Sequence, residues 1–382
     1  MSRAYLDHAS SSPLRPTAFD AMLPFLREHH GDPGRLHQEG RATRVQLEVA
    51  REQVAALVGS RPREVVFTSG GTESINTAIW GAVARGSETS GGLGHIVTTA
   101  VEHSAVLEAC RRAPVELTIV GVDRFGRFDA TEVLSSIKPE TALVSVQTAN
   151  HEVGTVQPVG EVVTGCQERG VLVHVDACMS IGHLPLDFGA SDADLCSITA
   201  HKVGGPKGVG ALLVRRGLRL SPFIVGGSQE RARRGGIENV AACVGFGAVA
   251  AELTDGARLD VEAVEHRRLT DRVLIELPKL VDSVSIYGDP QGRVPQLVCI
   301  GVEGVEAEPI LLGLDQRGVA VHSGSSCSSE TLEPSPVLQA MGVDAEHSLR
   351  ISVGWSSTDT DIDTLLAALP EVVGKLRSLR RP

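Results

Sequence analysis

Between residues 64 and 214, seven short apolar runs alternate with stretches of helical periodicity, and that rhythm leaves few folds open. The runs fall at 64–67, 95–99, 115–120, 141–146, 171–175, 195–199 and 209–214. Helical patterns separate most of them, beginning near Thr72, Ser104, Thr131 and Glu161. The run at 171–175 is bounded by Gly170 and Asp176. Apolar runs of this kind suit strands buried on both faces. Strands alternating with helices imply a mainly parallel sheet with helices on both sides. The predicted class is α/β, with a mainly parallel seven-stranded sheet.

The rhythm changes after the glycine-rich stretch 226–236. A long helical pattern covers 259–280, and shorter segments follow at 284–287, 296–302, 310–317, 319–321 and 349–353. A last helix starts near Asp359, where an acidic first turn suits the helix dipole, and runs to about residue 379. A chain of 382 residues exceeds what one core supports. We therefore expect a large domain at 13–258 and a smaller α+β domain made of 1–12 and 259–382. Hydrophobic residues at 42% and charged residues at 22% exclude wholesale disorder. A net charge of −11 argues against a nucleic-acid surface held by phosphate neutralisation, with Arg231, Arg233 and Arg234 the one obvious basic patch apart from Arg380-Arg381. Seven cysteines, with no CxxC pair, argue against a disulfide framework or a structural zinc site and fit a reducing cytosol. No apolar run approaches the roughly 18 residues of a membrane span. Asp7 and His8 stand where a signal peptide would be apolar. The expectation is a cytoplasmic protein with no membrane partner.

Ligands of open α/β sheets gather at the carboxyl ends of the strands. Five predicted strand ends here deliver polar groups: Thr72, His103, Asn150, Asp176 and the pair His201-Lys202. Ser69-Gly70-Gly71-Thr72-Glu73 sets two glycines and a hydroxyl at a helix N-terminus, where free N–H groups attract phosphate or simply form a capped turn. Lys202 is one of only five lysines. Alone it would read as a surface residue. Combined with the phosphate-type turn and an upstream acid, it points to a pyridoxal-phosphate site, which needs a lysine to hold the aldehyde, an acid on the ring nitrogen and a phosphate cup. Asp176 would be the acid, its charge keeping the ring nitrogen protonated.

Cys327 lies in Ser323-Gly324-Ser325-Ser326-Cys327-Ser328-Ser329-Glu330, a small, polar, loop-like segment spanning about 323–335. Most buried cysteines are inert core residues, and Cys243 and Cys299, in apolar runs, read that way. Cys327 has no apolar face around it. A thiol on such a loop can serve a buried substrate and an outside acceptor in turn.

The ordered set Ser69–Ser74, Glu102-His103-Ser104-Ala105-Val106, Asn150-His151-Glu152-Val153-Gly154, His174-Val175-Asp176-Ala177, Ala200-His201-Lys202, Ser323–Cys327 and Leu349-Arg350 resembles the NifS/IscS-type cysteine desulfurases. These are class V, fold-type I pyridoxal-phosphate enzymes, and the likeness runs from Tyr5-Leu6-Asp7-His8 past Arg350. The resemblance implies that Lys202 holds pyridoxal 5'-phosphate and moves the substrate Cα proton. It implies that His103 stacks on the ring, Asn150 contacts the cofactor or substrate, and Asp176 bonds the ring nitrogen. Gly71, Thr72, Thr199 and His201 would bind the phosphate, and Arg350 would clamp the substrate carboxylate. Cys327 would take sulfur from L-cysteine as a persulfide, release L-alanine and pass the sulfur to an acceptor protein. It also implies a homodimer. The acceptor would serve iron–sulfur assembly, tRNA thiolation or DNA phosphorothioation. Two departures, with the arginine-rich composition, point to the phosphorothioation branch, in which partner proteins touch the DNA.

Those departures are Met179, where the family usually carries Gln, and Ile237, where a Thr commonly reaches the other subunit's phosphate. Cys178 beside them reads as a core thiol. The alternatives are a selenocysteine lyase, a class V aminotransferase, and a non-catalytic sulfur-relay scaffold.

Overall fold

The computed structural model describes residues 3–90, 94–324 and 334–379. A two-residue strand, β1 (Ala4–Tyr5), precedes the seven strands of the larger sheet: β2 (Val65–Thr68), β3 (His95–Thr99), β4 (Glu116–Val120), β5 (Thr141–Gln147), β6 (Leu172–Asp176), β7 (Leu195–Thr199) and β8 (Gly210–Val214). Their order across the sheet is β2-β8-β7-β6-β5-β3-β4. Only β8 runs against its neighbours. The mainly parallel seven-stranded sheet read from the sequence is therefore present. Every residue of β2, β3, β7 and β8 is buried, whereas β4, at the edge, is partly exposed. Burial on both faces is why these strands read as apolar runs rather than as alternating patterns.

One face packs Val144, Val146, Val173, Val175 and Ile198 against the helices Gln38–Leu57 and Val240–Thr254, through Leu47, Val54, Phe246 and Val249. The other face sets Ile96 and Leu143 against Ile75, Ile79 and Val83 of helix Gly71–Ser90 and Val106 of helix Ser104–Arg112. Helix Val240–Thr254 escapes a periodicity reading because it is apolar nearly all round, as a fully buried helix must be.

Beyond it lie β9 (Val284–Tyr287), β10 (Leu297–Val302), β11 (Val319–Ala320), β12 (His322–Ser323) and β13 (Ser348–Ser352). An antiparallel sheet of order β12-β13-β10-β9 is backed by the helices Arg258–Leu280, Ala307–Asp315 and Asp359–Leu379. The segment 310–317 thus lies largely in a helix. The N-terminus joins this second core: β1 pairs in parallel with β11, and Ala4 and Leu6 are buried with Leu269, Ile300 and Leu365.

The chain stores backbone strain at Glu230, Arg231 and Ala232, whose φ values are 47°, 59° and 62°. Left-handed conformations of ordinary residues cost about 1–2 kcal/mol each. The compensation is a buried ion pair: Arg51 donates from Nη1 and Nη2 to the two carboxylate oxygens of Glu230, both at 2.7 Å. Phe67 N donates to the same carboxylate at 2.9 Å, tying the turn to β2. Arg51→Ala leaves Glu230 buried and unpaired, and should cost about 3–5 kcal/mol. A denaturation midpoint equal to wild type would contradict this account.

Candidate active site

The parallel strands β5, β6 and β7 end at Gln147, Asp176 and Thr199, side by side at one sheet edge, with Gln147 in register with Asp176. A cavity of about 300 Å³ opens there. Gly71, Thr72, His103, Asp176, Thr199, His201, Lys202 and Arg350 all line it, so eight residues singled out from the sequence meet at one place. Lys202 lies just past β7, in the tight reversal into β8. That turn needs Gly204 (φ 83°) and Gly208 (φ 80°). Its Nζ donates to the carbonyls of Ala9 and Ser10.

His103 caps helix Ser104–Arg112 by accepting from Ala105 N at 3.0 Å, which fixes the ring at the mouth of the helix. The His151 ring stands edge-on to it with centroids 5.0 Å apart. Asn150 is fully buried beside the cavity but does not line it. Its Oδ1 accepts from the N–H groups of Glu152 and Val153, and its Nδ2 donates to Val101 O at 3.0 Å. The side chain holds the turn that carries His151.

A second cavity adjoins the first, sharing Ser10, Gly71, Thr72 and His201, and adds Ser11, Ser69, Gly70, Lys207, Gly208 and Glu73, whose carboxylate is paired with Arg234. Hydroxyls, a lysine and the N-terminus of helix Gly71–Ser90 converge on it. Such a group of donors suits the oxygens of a phosphate ester. Ser11 Oγ is buried there without a hydrogen-bond partner among the described residues. Gly71 is obligatory for close approach: a Cβ at this position would come within 2.6 Å of Cys178 Sγ.

The electrostatics separate one acid from another. Asp176 keeps its Oδ1 on Cys178 N at 2.9 Å. Burial, with the Asp176 charge adding to it, pushes the neighbouring Glu102 carboxyl up to about 8 against the pull of the Thr99 hydroxyl. Burial holds His174, behind Asp176, down to about 4, and its two nitrogens meet Ser145 Oγ and Ser197 Oγ at 2.9 and 2.8 Å. Burial and the Lys202 and Lys207 charges hold His201 down to about 4 as well, so it serves as a neutral donor or acceptor.

Cys178, expected in the core, instead lines the cavity. Burial and Asp176 raise its thiol far above the ordinary range, which disqualifies it as a nucleophile. Met179 also lines the cavity, and its thioether packs with Ala9, Ala149 and Leu297 where a carboxamide was expected. Ile237 is largely exposed at 64%. Cys327 lies outside the described residues. The chain flanking it is anchored on both sides: Gly324 N donates to Ser348 Oγ at 3.1 Å, and Ser335 Oγ donates to the buried Glu152. Ala9, Ser10 and Gln147 were not foreseen in the cavity wall, because no motif joins them to Lys202, and His151 stood in a motif without a role of its own.

A stability consequence follows from Glu102. Its folded pKa is raised, so its contribution is complete below an unfolded value near 4.5 and is lost as pH rises toward 8. The depressed histidines overlap the lower part of that window with the opposite sign, losing stability as pH falls from 6.5 toward 4. Between pH 7 and 8 the wild type should lose about 1 kcal/mol of stability that Glu102→Gln keeps. Parallel slopes for the two proteins in denaturation series would refute the assignment.

Comparison with known proteins adds three findings. The Aminotransferase class-V family model matches residues 4–365. The cysteine desulfurase IscS of Dictyoglomus turgidum is 42% identical over 381 residues, covering 98% of this chain and 95% of that protein. Among solved structures, a NifS-like protein superposes with a TM-score of 0.91 at 31% identity, covering 98% of this chain and 100% of the other. SspA in complex with cysteine does so with a TM-score of 0.81 at 28% identity, covering 93% and 100%.

Proposed function

We propose a reaction for this cavity on the footing that the chain belongs to the aminotransferase class-V family and, within it, to the NifS/IscS-type cysteine desulfurases. The enzyme removes sulfur from L-cysteine, leaves L-alanine, and passes the sulfur to an acceptor protein. The observation that carries the reading is the meeting of Lys202, Asp176, His103 and Arg350 in one cavity beside a donor-lined cup.

The residues fit pyridoxal 5'-phosphate: an amine for the aldehyde, a carboxylate for the ring nitrogen, and the cup of Gly71, Thr72 and Ser11 with neutral His201 for the phosphate. Once bound, that cofactor supplies a sink for the electrons left at the substrate Cα. Asp176, beside a Glu102 held neutral, would bond the ring nitrogen. His103 would cover the ring and relay protons, and the turn held by Asn150 brings His151 against the His103 ring. Lys202 Nζ, held over the cavity by the Ala9 and Ser10 carbonyls, takes the Cα proton. Arg350 receives the carboxylate, a task suited to a planar fork of donors.

Cys327 completes the chemistry. Its thiolate attacks the substrate sulfur, the Cβ–S bond breaks, Cβ gains a proton, and the sulfur stays on the enzyme as a persulfide. Cysteine plus enzyme thiol gives alanine plus enzyme persulfide, with no external oxidant or reductant. Anchors on either side of the cysteine segment, at Gly324 and Ser335, support a tethered carrier that works over a fixed span.

The two hydrophobic cores support the division into a large domain at 13–258 and a small one of 1–12 and 259–382. Exposed Phe19 and Leu26 on helix Pro16–Arg27, Leu36 in the loop after it, and Val45 and Val49 on helix Gln38–Leu57 support a homodimer.

The test measures alanine and sulfide formed from L-cysteine. Lys202→Ala should lose both by about 100-fold or more. Cys327→Ser should lose persulfide-dependent sulfide release on a similar order. Wild-type sulfide release by Cys327→Ser would eliminate the persulfide step.

A further inference from the structure

The guanidinium of Arg350 has five N–H donors, and their partners are unevenly spread. Nη1 donates to His151 O at 3.0 Å. Nη2 donates to Asp7 Oδ1 at 3.0 Å and to Ser10 Oγ at 2.6 Å, so both of its hydrogens are engaged. Nε is buried with no hydrogen-bond partner among the described residues, although Arg350 is 1% exposed and lines the cavity. A buried, unpartnered charged donor is costly unless a ligand completes it.

A carboxylate gripped side-on needs Nε and Nη2 together, and Nη2 is covered. The two groups covering it differ in kind. Asp7 is fixed: it bridges to Ser352 of β13, and the turn after it is closed by Ser10 N and by Tyr5 OH, which donates to both Asp7 O and Ser11 O. Ser10 lines the cavity, whereas Asp7 does not. Its hydroxyl accepts from Nη2 while donating to Asp7 Oδ1 at 2.9 Å.

We propose that Asp7 and Ser10 set the specificity of this site for the carboxylate of a small α-amino acid. Asp7 is the anchor that aims the guanidinium. Ser10 is a removable cap on the same fork: an incoming carboxylate takes Nε and displaces the Ser10 hydroxyl from Nη2, while that hydroxyl stays bonded to Asp7. The inference rests on the amino-acid reading of the cavity given above and adds two positioning residues that no motif marks.

The two roles predict opposite changes. L-Alanine binds without a thiol to turn over, and ethylamine is the same amine without its carboxylate. Each is titrated by calorimetry into the cofactor-loaded enzyme, wild type and variant. Asp7→Asn, which removes the charged anchor, should weaken L-alanine about tenfold. Ser10→Ala, which uncovers the fork, should tighten L-alanine by roughly threefold to tenfold. Ethylamine affinity should be the same in all three proteins. Equal affinities for L-alanine, shifts in the same direction, or an ethylamine shift of matching size would overturn the proposal, as would a wild type that binds no L-alanine. If Asp7→Asn does not fold, the sign of the Ser10→Ala change decides alone. A wild type that binds L-alanine as described but makes none from L-cysteine would reject the desulfurase reading and leave this one standing.

Discussion

Residues 7–15 hold the two halves of this molecule to one another, and the cavity exists because they do. Ser12 N donates to His201 O, and Ser12 Oγ donates to Lys202 O. Arg15 Nε donates to Val203 O at 2.8 Å while its Nη atoms reach Glu252 and Glu262, on helices of the two different cores. Asp7 and Ala9 are fastened to Ser352 in β13. One short segment therefore fixes the lysine turn after β7 and the arginine on β13 relative to each other. An error of an ångström in that relation would separate the amine from the carboxylate grip, and positioning of this kind carries much of what a binding site contributes to rate.

Charge in the cavity is rationed by burial. Two cations, Lys202 and Arg350, face it, and Asp176 closes β6 at its edge. Glu102 is close enough to feel Asp176 and is held neutral by its surroundings. His174 and His201 are likewise held neutral. Burial and the nearby Asp176 both oppose a second negative charge at Glu102.

The sequence carried the fold well where strands are buried on both faces, since runs such as 195–199 admit little else. It carried the site well where residues sit at strand ends: Thr199, His201 and Lys202 follow β7 directly, and Asp176 closes β6. It failed for contributors that arrive from far along the chain. Ser10 reaches Arg350 across 340 positions and Ala9 reaches Lys202 across 193, and neither carries a local signature. Asn150 shows the opposite failure: its place in a motif was legible, but the backbone partners that occupy its carboxamide were not. Cys178 was misread because an isolated cysteine after a strand looks like core, and only the packing against Gly71 places it in the wall.

That packing also bears on the departure at Met179. A carboxamide at this position would add a donor to the cavity wall; a thioether adds none. The polar character lost at 179 is not restored by the adjacent thiol, because Cys178 is protonated and oriented toward Asp176 rather than toward a ring oxygen. Gln296 donates to the Met179 carbonyl at 3.1 Å and does not line the cavity, its Oε1 buried without a partner among the described residues. On the proposed placement His103 would cover the ring face and His201 would serve the phosphate, so neither replaces the donor absent at 179. With fewer fixed donors around the ring, more of the discrimination for an amino acid falls on the carboxylate end, where Arg350, Asp7 and Ser10 form a preorganised set. The chemistry of the cavity is thus weighted toward the arginine rather than toward the ring oxygen.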